Sequence, residues 1–327
     1  MTESNRSSLG FISQQITIYV GIPILSAGLL GNIINIIVFL SLQTFRQNSC
    51  AFYLTIMSIV NNGQLITGLF TRIMISGFDI DWTQTSIFYC KFRQCCLQTC
   101  VSISMTCMCL AIIDQFLATC YTRQWQQWSN IKVAHRLTIL SVIIWLLHGI
   151  PYWIFYDQIQ SITLGHSVCI VNNFIFQIYY IAVHLVIWNC LFPTLICIIF
   201  GILAYRNIQD LSYRTIPLVR RELDRQLTSI VLIQVIFNTI MITPYVIVYI
   251  LILNALFDGI DTTTSEQFRF ANTLTICLFY LSFASPFYVY VCVSGRFRQQ
   301  FIHVFYRIHF NKWRRRIIIN NQIIPQE

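Results

Sequence analysis

The sequence predicts an all-α membrane protein, a seven-transmembrane helix bundle with a short interfacial helix after the seventh span. Three observations predict this fold: an apolar composition, seven apolar runs of membrane-spanning length, and basic residues concentrated beside alternate ends of those runs. Of the 327 residues, 56% are hydrophobic and only 10% are charged. A soluble domain of this size does not use so much apolar sequence.

Each of the seven apolar runs is long enough to cross a hydrocarbon core of about 30 Å, which takes roughly 20 helical residues. Backbone polar groups have no water partners in lipid, and the runs are too long for barrel strands, so we expect every span to be a helix. The predicted spans are 16–42, 52–75, 95–117, 137–155, 174–203, 227–256 and 270–293. They divide the chain into an N-terminal segment (1–15), a membrane domain (16–293) and a C-terminal segment (294–327).

Lysine and arginine lie mainly on one side of the predicted bundle, which the positive-inside rule assigns to the cytoplasm. The basic residues of that side are Arg46, Arg123, Lys132, Arg136, Arg206, Arg214, Arg220, Arg221, Arg225, Arg296, Arg298, Arg307, Lys312, Arg314, Arg315 and Arg316. The other side has only Arg6, Lys91, Arg93 and Arg269. We therefore expect a multi-pass plasma-membrane protein with an extracellular N-terminus and a cytoplasmic C-terminus. The sequon at Asn5 falls on the outer side and predicts a glycosylation site.

The net charge of +9 follows from this one-sided distribution. We expect it to attract the anionic inner leaflet, so the lipid bilayer is a predicted partner and nucleic acid is not. In the C-terminal segment Phe297, Phe301, Val304 and Phe305 recur at helical spacing among arginines. This pattern predicts a short cytoplasmic helix in the membrane interface, followed by a basic tail.

Seven of the thirteen cysteines crowd the third span and its ends: Cys90, Cys95, Cys96, Cys100, Cys107, Cys109 and Cys120. A metal site is one interpretation of this cluster. The span contains no histidine, and thiols on several faces of one helix cannot converge on one ion, so we expect packing residues and no metal. Cys90 and Cys169 differ from the rest because both fall in extracellular, oxidising positions, and we predict a disulfide between them.

Single residues mark the spans in a characteristic order. They are Gly31 and Asn32 in the first span, Cys90 with Asp114 twenty-four residues later, Trp145 in the fourth span, and Pro193, Pro244 and Pro286 in the last three. In this order the chain resembles the rhodopsin-like (class A) family of G-protein-coupled receptors, over nearly its whole length and as a divergent member. The resemblance implies a receptor that binds an extracellular ligand and signals through a cytoplasmic heterotrimeric G protein, without a cofactor.

Positions that match the family's activation switch are altered. An acid is usual where this chain has Asn61, so a sodium site there should be weak or absent. The family's Asp-Arg-Tyr triplet reads Asp114-Gln115-Phe116. The resemblance implies that the arginine links the first acid to another in the sixth span, here Asp224. A neutral Gln115 should hold this latch less firmly, because charge-assisted hydrogen bonds are roughly twice as strong as neutral ones.

Pro244 and Pro286 match the family's hinge positions. Each proline removes a backbone hydrogen bond and lets one half of its helix swing. Because several switch residues differ together, two hypotheses stay open. One is a G-protein-coupled receptor with raised basal opening, in which the weakened latch lets the sixth helix move outward. The other is a chemosensory or scavenging seven-helix receptor with weak or no G-protein coupling.

Residues that the spans lack disfavour several functions. Lys91, Lys132 and Lys312 are the only lysines and none lies in a span, so retinal cannot form a Schiff base. Leu97 stands where amine receptors place an aspartate, which disfavours amines. No internal repeat supports a transporter. No catalytic triad, metal-ligand pair or phosphate loop supports an enzyme.

Six polar residues in the outer half of the bundle are candidate ligand contacts: Arg72, Gln98, His184, Asn189, Tyr249 and Thr275. Arg72 is the most informative, because an arginine inside a span is costly without water or a partner. It either anchors a ligand carboxylate or snorkels towards Asp79 or Asp81. The first interpretation favours a peptide-like ligand. His184 is more typical of a packed residue than of a ligand contact.

Overall fold

The computed structural model describes residues 8–160, 167–211, 218–257 and 266–310, which are almost entirely helical. The first part contains α1 (Ser8–Tyr19), α2 (Gly21–Ser41), α3 (Gln43–Arg46), α4 (Ser49–Gln64), the π-helical segments π1 (Leu65–Phe70) and π2 (Ile73–Gly77), α5 (Ile87–Thr119) and α6 (Arg123–Gln126). The middle contains α7 (Ile131–His148), α8 (Ile150–Phe155), β1 (Tyr156–Gln160), β2 (Ser167–Val171), α9 (Phe174–Ile178), π3 (Tyr179–Leu191) and α10 (Phe192–Leu211). The last part contains α11 (Leu218–Phe257), α12 (Glu266–Ala284), α13 (Pro286–Val293), α14 (Gly295–Ile302) and π4 (His303–Phe310).

Within the described ranges, five helical stretches are long and apolar enough to cross a membrane. They are Leu9–Ser41, Ile87–Thr119, Ile131–Phe155, Phe174–Gln209 and Arg225–Ile252. The bent pair Gln267–Ala284 and Pro286–Val293 adds a sixth if it forms one span. All six overlap predicted spans, and the chain is a helical, multi-pass membrane protein.

The second predicted span, 52–75, is helical through α4, π1 and π2 but is less apolar than the others. Its middle contains Asn61, Asn62 and Gln64, and three amides lower the hydropathy of the segment. This segment is not among the candidate membrane spans. The count of seven spans therefore remains a prediction.

Helix α5 is the centre of the bundle. Of its most apolar stretch, 67% is buried inside the protein, compared with 22% for Ile131–Phe155. The peripheral span exposes large apolar side chains such as Ile139 and Leu147, which suits contact with lipid tails. A central α5 places residues of the third predicted span against α4, α10 and α11.

A two-stranded antiparallel sheet, formed by β1 and β2, interrupts the helices between the fourth and fifth predicted spans. In its register Gln158 lies opposite Cys169. The second strand, Ser-Val-Cys-Ile-Val, is rich in β-branched residues, which favour extended backbone. The expectation of an all-helical chain omitted this hairpin.

The seventh predicted span bends by 59° between α12 and α13. Pro286 begins α13, and its ring nitrogen cannot donate a hydrogen bond to the carbonyl of Ser282 one turn earlier. The hydroxyl of Ser285 donates to that carbonyl instead, at 3.2 Å. Pro244, by contrast, lies inside α11, which continues as one helix on both sides.

A short helix, α14, follows the seventh predicted span. Ser294 caps it by accepting a hydrogen bond from the backbone N–H of Phe297. Phe297 is fully buried against Phe39 and Tyr290, so the start of the helix is fixed to the bundle. The predicted basic tail beyond residue 310 lies outside the described residues.

Candidate ligand-binding site

A cavity of about 230 Å³ opens among the helices at the outer half of the bundle. Its lining comes from α4 and the segment after it, α5, β1, π3, α11 and α12. The polar lining residues are Gln64, Arg72, Arg93, Gln94, Gln98, Asn189 and the tyrosines Tyr156, Tyr180, Tyr245, Tyr249 and Tyr280. Two of these described lining residues are cations and none is an acid, so the cavity has a positive electrostatic character.

Arg72 and Arg93 are the two cations of the cavity. The Nε atom of each is buried and has no hydrogen-bond partner among the described residues. Both arginines line the cavity together with Tyr280. A buried donor without a partner is costly, and an anion entering the cavity supplies the missing acceptor.

The alternative interpretation placed the Arg72 side chain near Asp79 or Asp81, but the hydrogen bonds described for these two acids come from other residues. The carboxylate of Asp81 accepts from the backbone N–H and hydroxyl of Thr83 and from the Gln84 amide. The side chain of Gln14 donates to Asp79 at 3.5 Å. Arg72 itself lines the cavity.

Aromatic side chains form another part of the cavity lining. Tyr245 stacks on Phe279 with ring centroids 4.5 Å apart and contacts Tyr249 at 4.6 Å. Tyr280 packs so close to Gly68 that a Cβ there would lie 2.5 Å from its hydroxyl. Only glycine at position 68 therefore leaves this phenol in place. These side chains offer phenol hydroxyls as donors and apolar faces for a ligand's carbon skeleton.

A hydrogen-bonded group formed by Gln98, Tyr180 and His184 connects the cavity lining to the buried interior. Gln98 donates to the hydroxyl of Tyr180 at 3.2 Å, and its carbonyl oxygen lies 3.1 Å from His184 Nε2. The His184 ring is fully buried and stacks on His148 with centroids 4.8 Å apart. His184 therefore orients Gln98 and does not line the cavity.

The predicted disulfide is confirmed. Cys90 at the outer end of α5 is bonded to Cys169 in β2, with Cα atoms 5.8 Å apart. The bond holds the hairpin over the outer end of the bundle, where Gln158 also donates to the carbonyl of Thr83. This arrangement brings Tyr156 of β1 into the cavity lining. Burial raises the pKa of Tyr156, although Arg93 acts in the opposite sense, so this phenol stays neutral and keeps its donor.

Four of the six predicted pocket residues line the cavity: Arg72, Gln98, Asn189 and Tyr249. Thr275 is turned back on its own helix, where its hydroxyl donates to the carbonyls of Ala271 and Asn272. Sequence reasoning missed Arg93, which it counted as an outer-loop base. The available signal was its position one turn after the disulfide cysteine Cys90, where the chain is already helical.

No protein-family model matches the chain, and a comparison with curated proteins found no match.

A second group of switch candidates lies at the opposite, inner end of α5. Asp114 accepts a 2.6 Å hydrogen bond from the Ser49 hydroxyl, and Ser49 in turn lies 3.3 Å from Ser129. The side-chain oxygen of Gln115 accepts a hydrogen bond from Thr228 of α11 at 2.9 Å. Among the described residues its Nε2 has no partner. The expected hydrogen bond from Gln115 to Asp224 involves a side chain that lies outside the described part of the chain. The predicted glycosylation site at Asn5 also lies outside it.

Asn61 lies between these two ends, and its side-chain oxygen accepts a 2.6 Å hydrogen bond from Ser104 of α5. It is buried and brings no charge to the middle of the bundle. Across the described residues, no three His, Cys, Asp or Glu side chains are grouped so as to hold a metal ion.

Proposed function

We propose that the protein is a plasma-membrane receptor of the rhodopsin-like type that binds an anionic extracellular ligand and signals through a heterotrimeric G protein. In this proposal the chain crosses the membrane seven times, with its N-terminus outside. The observation that supports it best is the cavity beneath a disulfide-tethered hairpin, lined by two arginines whose Nε atoms have no hydrogen-bond partner among the described residues. The basic residues near the inner helix ends support the orientation.

The chemistry of the cavity favours a carboxylate or phosphate over other ligand groups. Arginine presents a planar fork of donors that matches these anions. A cationic amine finds no described acid in the lining. A peptide-like ligand remains in the proposal, with its C-terminal carboxylate as the group that enters the cavity.

The proposal is tested in cells that carry sensors for dissociation of each G-protein subtype. The compounds are small carboxylates and phosphates, peptides with free or amidated C-termini, and amines. We expect responses to anionic compounds, and a potency loss of about tenfold or more in Arg72→Gln, because a hydrogen bond to a charged group contributes about 1.5–3 kcal/mol. Lys91→Gln, which removes a cation outside the cavity lining, is the control at matched surface expression.

Two results would count against this function. Activation by amines, or unchanged potency in Arg72→Gln, removes the arginine site from the proposal. Specific binding of an anionic compound without dissociation of any G protein favours the second candidate, a seven-helix receptor without coupling. That candidate is favoured by the neutral contact between Gln115 and Thr228, in place of a charged latch.

A further inference from the structure

The two arginines of the cavity belong to different elements and line the same cavity. Arg72 lies between π1 and π2, and Arg93 lies in the second turn of α5. The Nε atom of each is buried and has no hydrogen-bond partner among the described residues. The anion site is therefore built from two cations of separate helices rather than from Arg72 alone.

Two cations that line one cavity, with no acid among its described lining residues, repel each other. A ligand with one negative charge compensates only one of them. A ligand with two negative charges compensates both, so the cavity discriminates between ligands by charge as well as by shape. The described lining includes no carboxylate that would do this in the ligand's place.

The volume limits the ligand further. A cavity of about 230 Å³ is smaller than most drug-binding pockets, which measure about 300–1,000 Å³. A four- or five-carbon dicarboxylate matches this size, and its carbon chain can lie against the faces of Tyr245 and Phe279.

We infer that the cavity binds a small dianion, with Arg72 and Arg93 each neutralising one of its negative charges. This inference rests on the proposed function for the identity of the site, and it specifies the ligand class. The two charges can belong to two carboxylates or to one phosphate group, and the experiment separates these cases.

The test measures binding to purified receptor in lipid nanodiscs by calorimetry, without a G protein. The probes are succinate, glutarate and inorganic phosphate as dianions, and butyrate as a monoanion with the same carbon count as succinate. We expect at least one dianion to bind about tenfold or more tightly than butyrate, which corresponds to the loss of one charge-assisted contact. Preference for the dicarboxylates indicates two separate carboxylate contacts, whereas preference for phosphate indicates one shared group.

The variants are Arg72→Gln, Arg93→Gln and the double variant, with Lys91→Gln as the matched control. Each single variant should lose the preference for the dianion, so that its affinities for succinate and butyrate become similar. The control should keep the wild-type ratio. Arg93→Lys retains the charge and serves if Arg93→Gln does not fold; it should keep part of the preference.

Equal binding of butyrate and all three dianions to the wild type overturns the inference, as does an unchanged preference in Arg93→Gln. Absence of dianion binding at about 10 mM, above the millimolar Kd of a weak small-ligand site, also overturns it. Failure of the proposed function looks different, since dianion binding then persists without a G-protein response. A G-protein response to ligands that bind without charge preference leaves the function intact and removes the inference.

Discussion

At the scale of single residues, the contact between Gln115 and Thr228 connects α5 to α11 near the inner end of the bundle. Both side chains are fully buried, and the threonine hydroxyl donates to the amide oxygen at 2.9 Å. The resemblance implies a partner acid at Asp224, whose side chain lies outside the described part. The contact between Gln115 and Thr228 is neutral and connects α5 to α11.

We expect Thr228→Val to increase the population of receptors with the inner end of α11 displaced. Valine keeps the shape but removes the donor, and an unsatisfied buried acceptor costs about 1–3 kcal/mol. Since about 1.4 kcal/mol corresponds to a factor of ten, basal G-protein dissociation should rise by about tenfold.

Ser229→Ala is the matched control for this variant. The Ser229 hydroxyl is exposed and donates only to the Arg225 carbonyl of its own helix, so basal dissociation should not change. Equal basal dissociation in Thr228→Val, Ser229→Ala and the wild type would show that this hydrogen bond does not hold the closed state.

Residue-scale prediction from the sequence succeeded where composition decides and failed where packing decides. Arg72 stood out because any arginine in an apolar run is unusual. Arg93 did not, because it lies near the end of a span, where bases are common, and only the rotation of α5 directs it into the cavity. Thr275 shows the same limit, since its hydroxyl turns to a carbonyl of its own helix. His184 is packed and fully buried, which is the interpretation that the sequence favoured.

At the scale of elements, the disulfide and the hairpin form one unit. The bond between Cys90 and Cys169 connects positions 79 residues apart. Around it Cys90, Tyr152, Tyr156 and Phe176 form a separate buried cluster. The cluster holds Tyr156 over the cavity, so loss of the bond should disturb both stability and ligand binding.

Cys90→Ser or Cys169→Ser should lower surface expression and the temperature of thermal unfolding, and weaken binding of an anionic ligand. Loss of a native disulfide lowers the free energy of unfolding of small secreted domains by about 2–5 kcal/mol. We expect a loss no larger than this for a loop tethered to a membrane bundle. Cys292→Ser changes an exposed free thiol and should alter none of these quantities. If all three variants behave alike, the tether does not stabilise the outer face.

The elements show what the sequence reveals and what it hides. Membrane-spanning length and the bend at Pro286 follow from local composition, and the pairing of Cys90 with Cys169 followed from the predicted positions of the two cysteines on the same side of the membrane. The hairpin was not predictable, because two five-residue strands between apolar spans have no alternation that distinguishes them from a loop. Their pairing depends on the disulfide and on packing against α5, which are contacts between distant parts of the chain.

At the scale of the whole molecule, the helices enclose a mainly apolar core with a group of polar residues of different chemistry near each end. The outer end holds two arginines without a described acid, and the inner end holds Asp114 bonded to Ser49 and Gln115 bonded to Thr228. Helix α11 reaches both ends, since Tyr249 lines the cavity and Thr228 contacts Gln115. A ligand that draws the outer part of α11 inward can therefore shift the population of its inner position.

If the proposed function is correct, α11 moves at its inner end when a G protein binds. The most direct measurement is the distance between spin labels at Lys132 and Arg225, both exposed near the inner ends of α7 and α11. The labels are attached to keto amino acids introduced at these two positions, so that the native cysteines stay unlabelled. The distance distribution is recorded in purified receptor alone and with a nucleotide-free heterotrimeric G protein. We predict a second, longer distance that grows when the G protein is added and is already enriched in Thr228→Val; a distribution that stays the same in all of these samples would contradict the account.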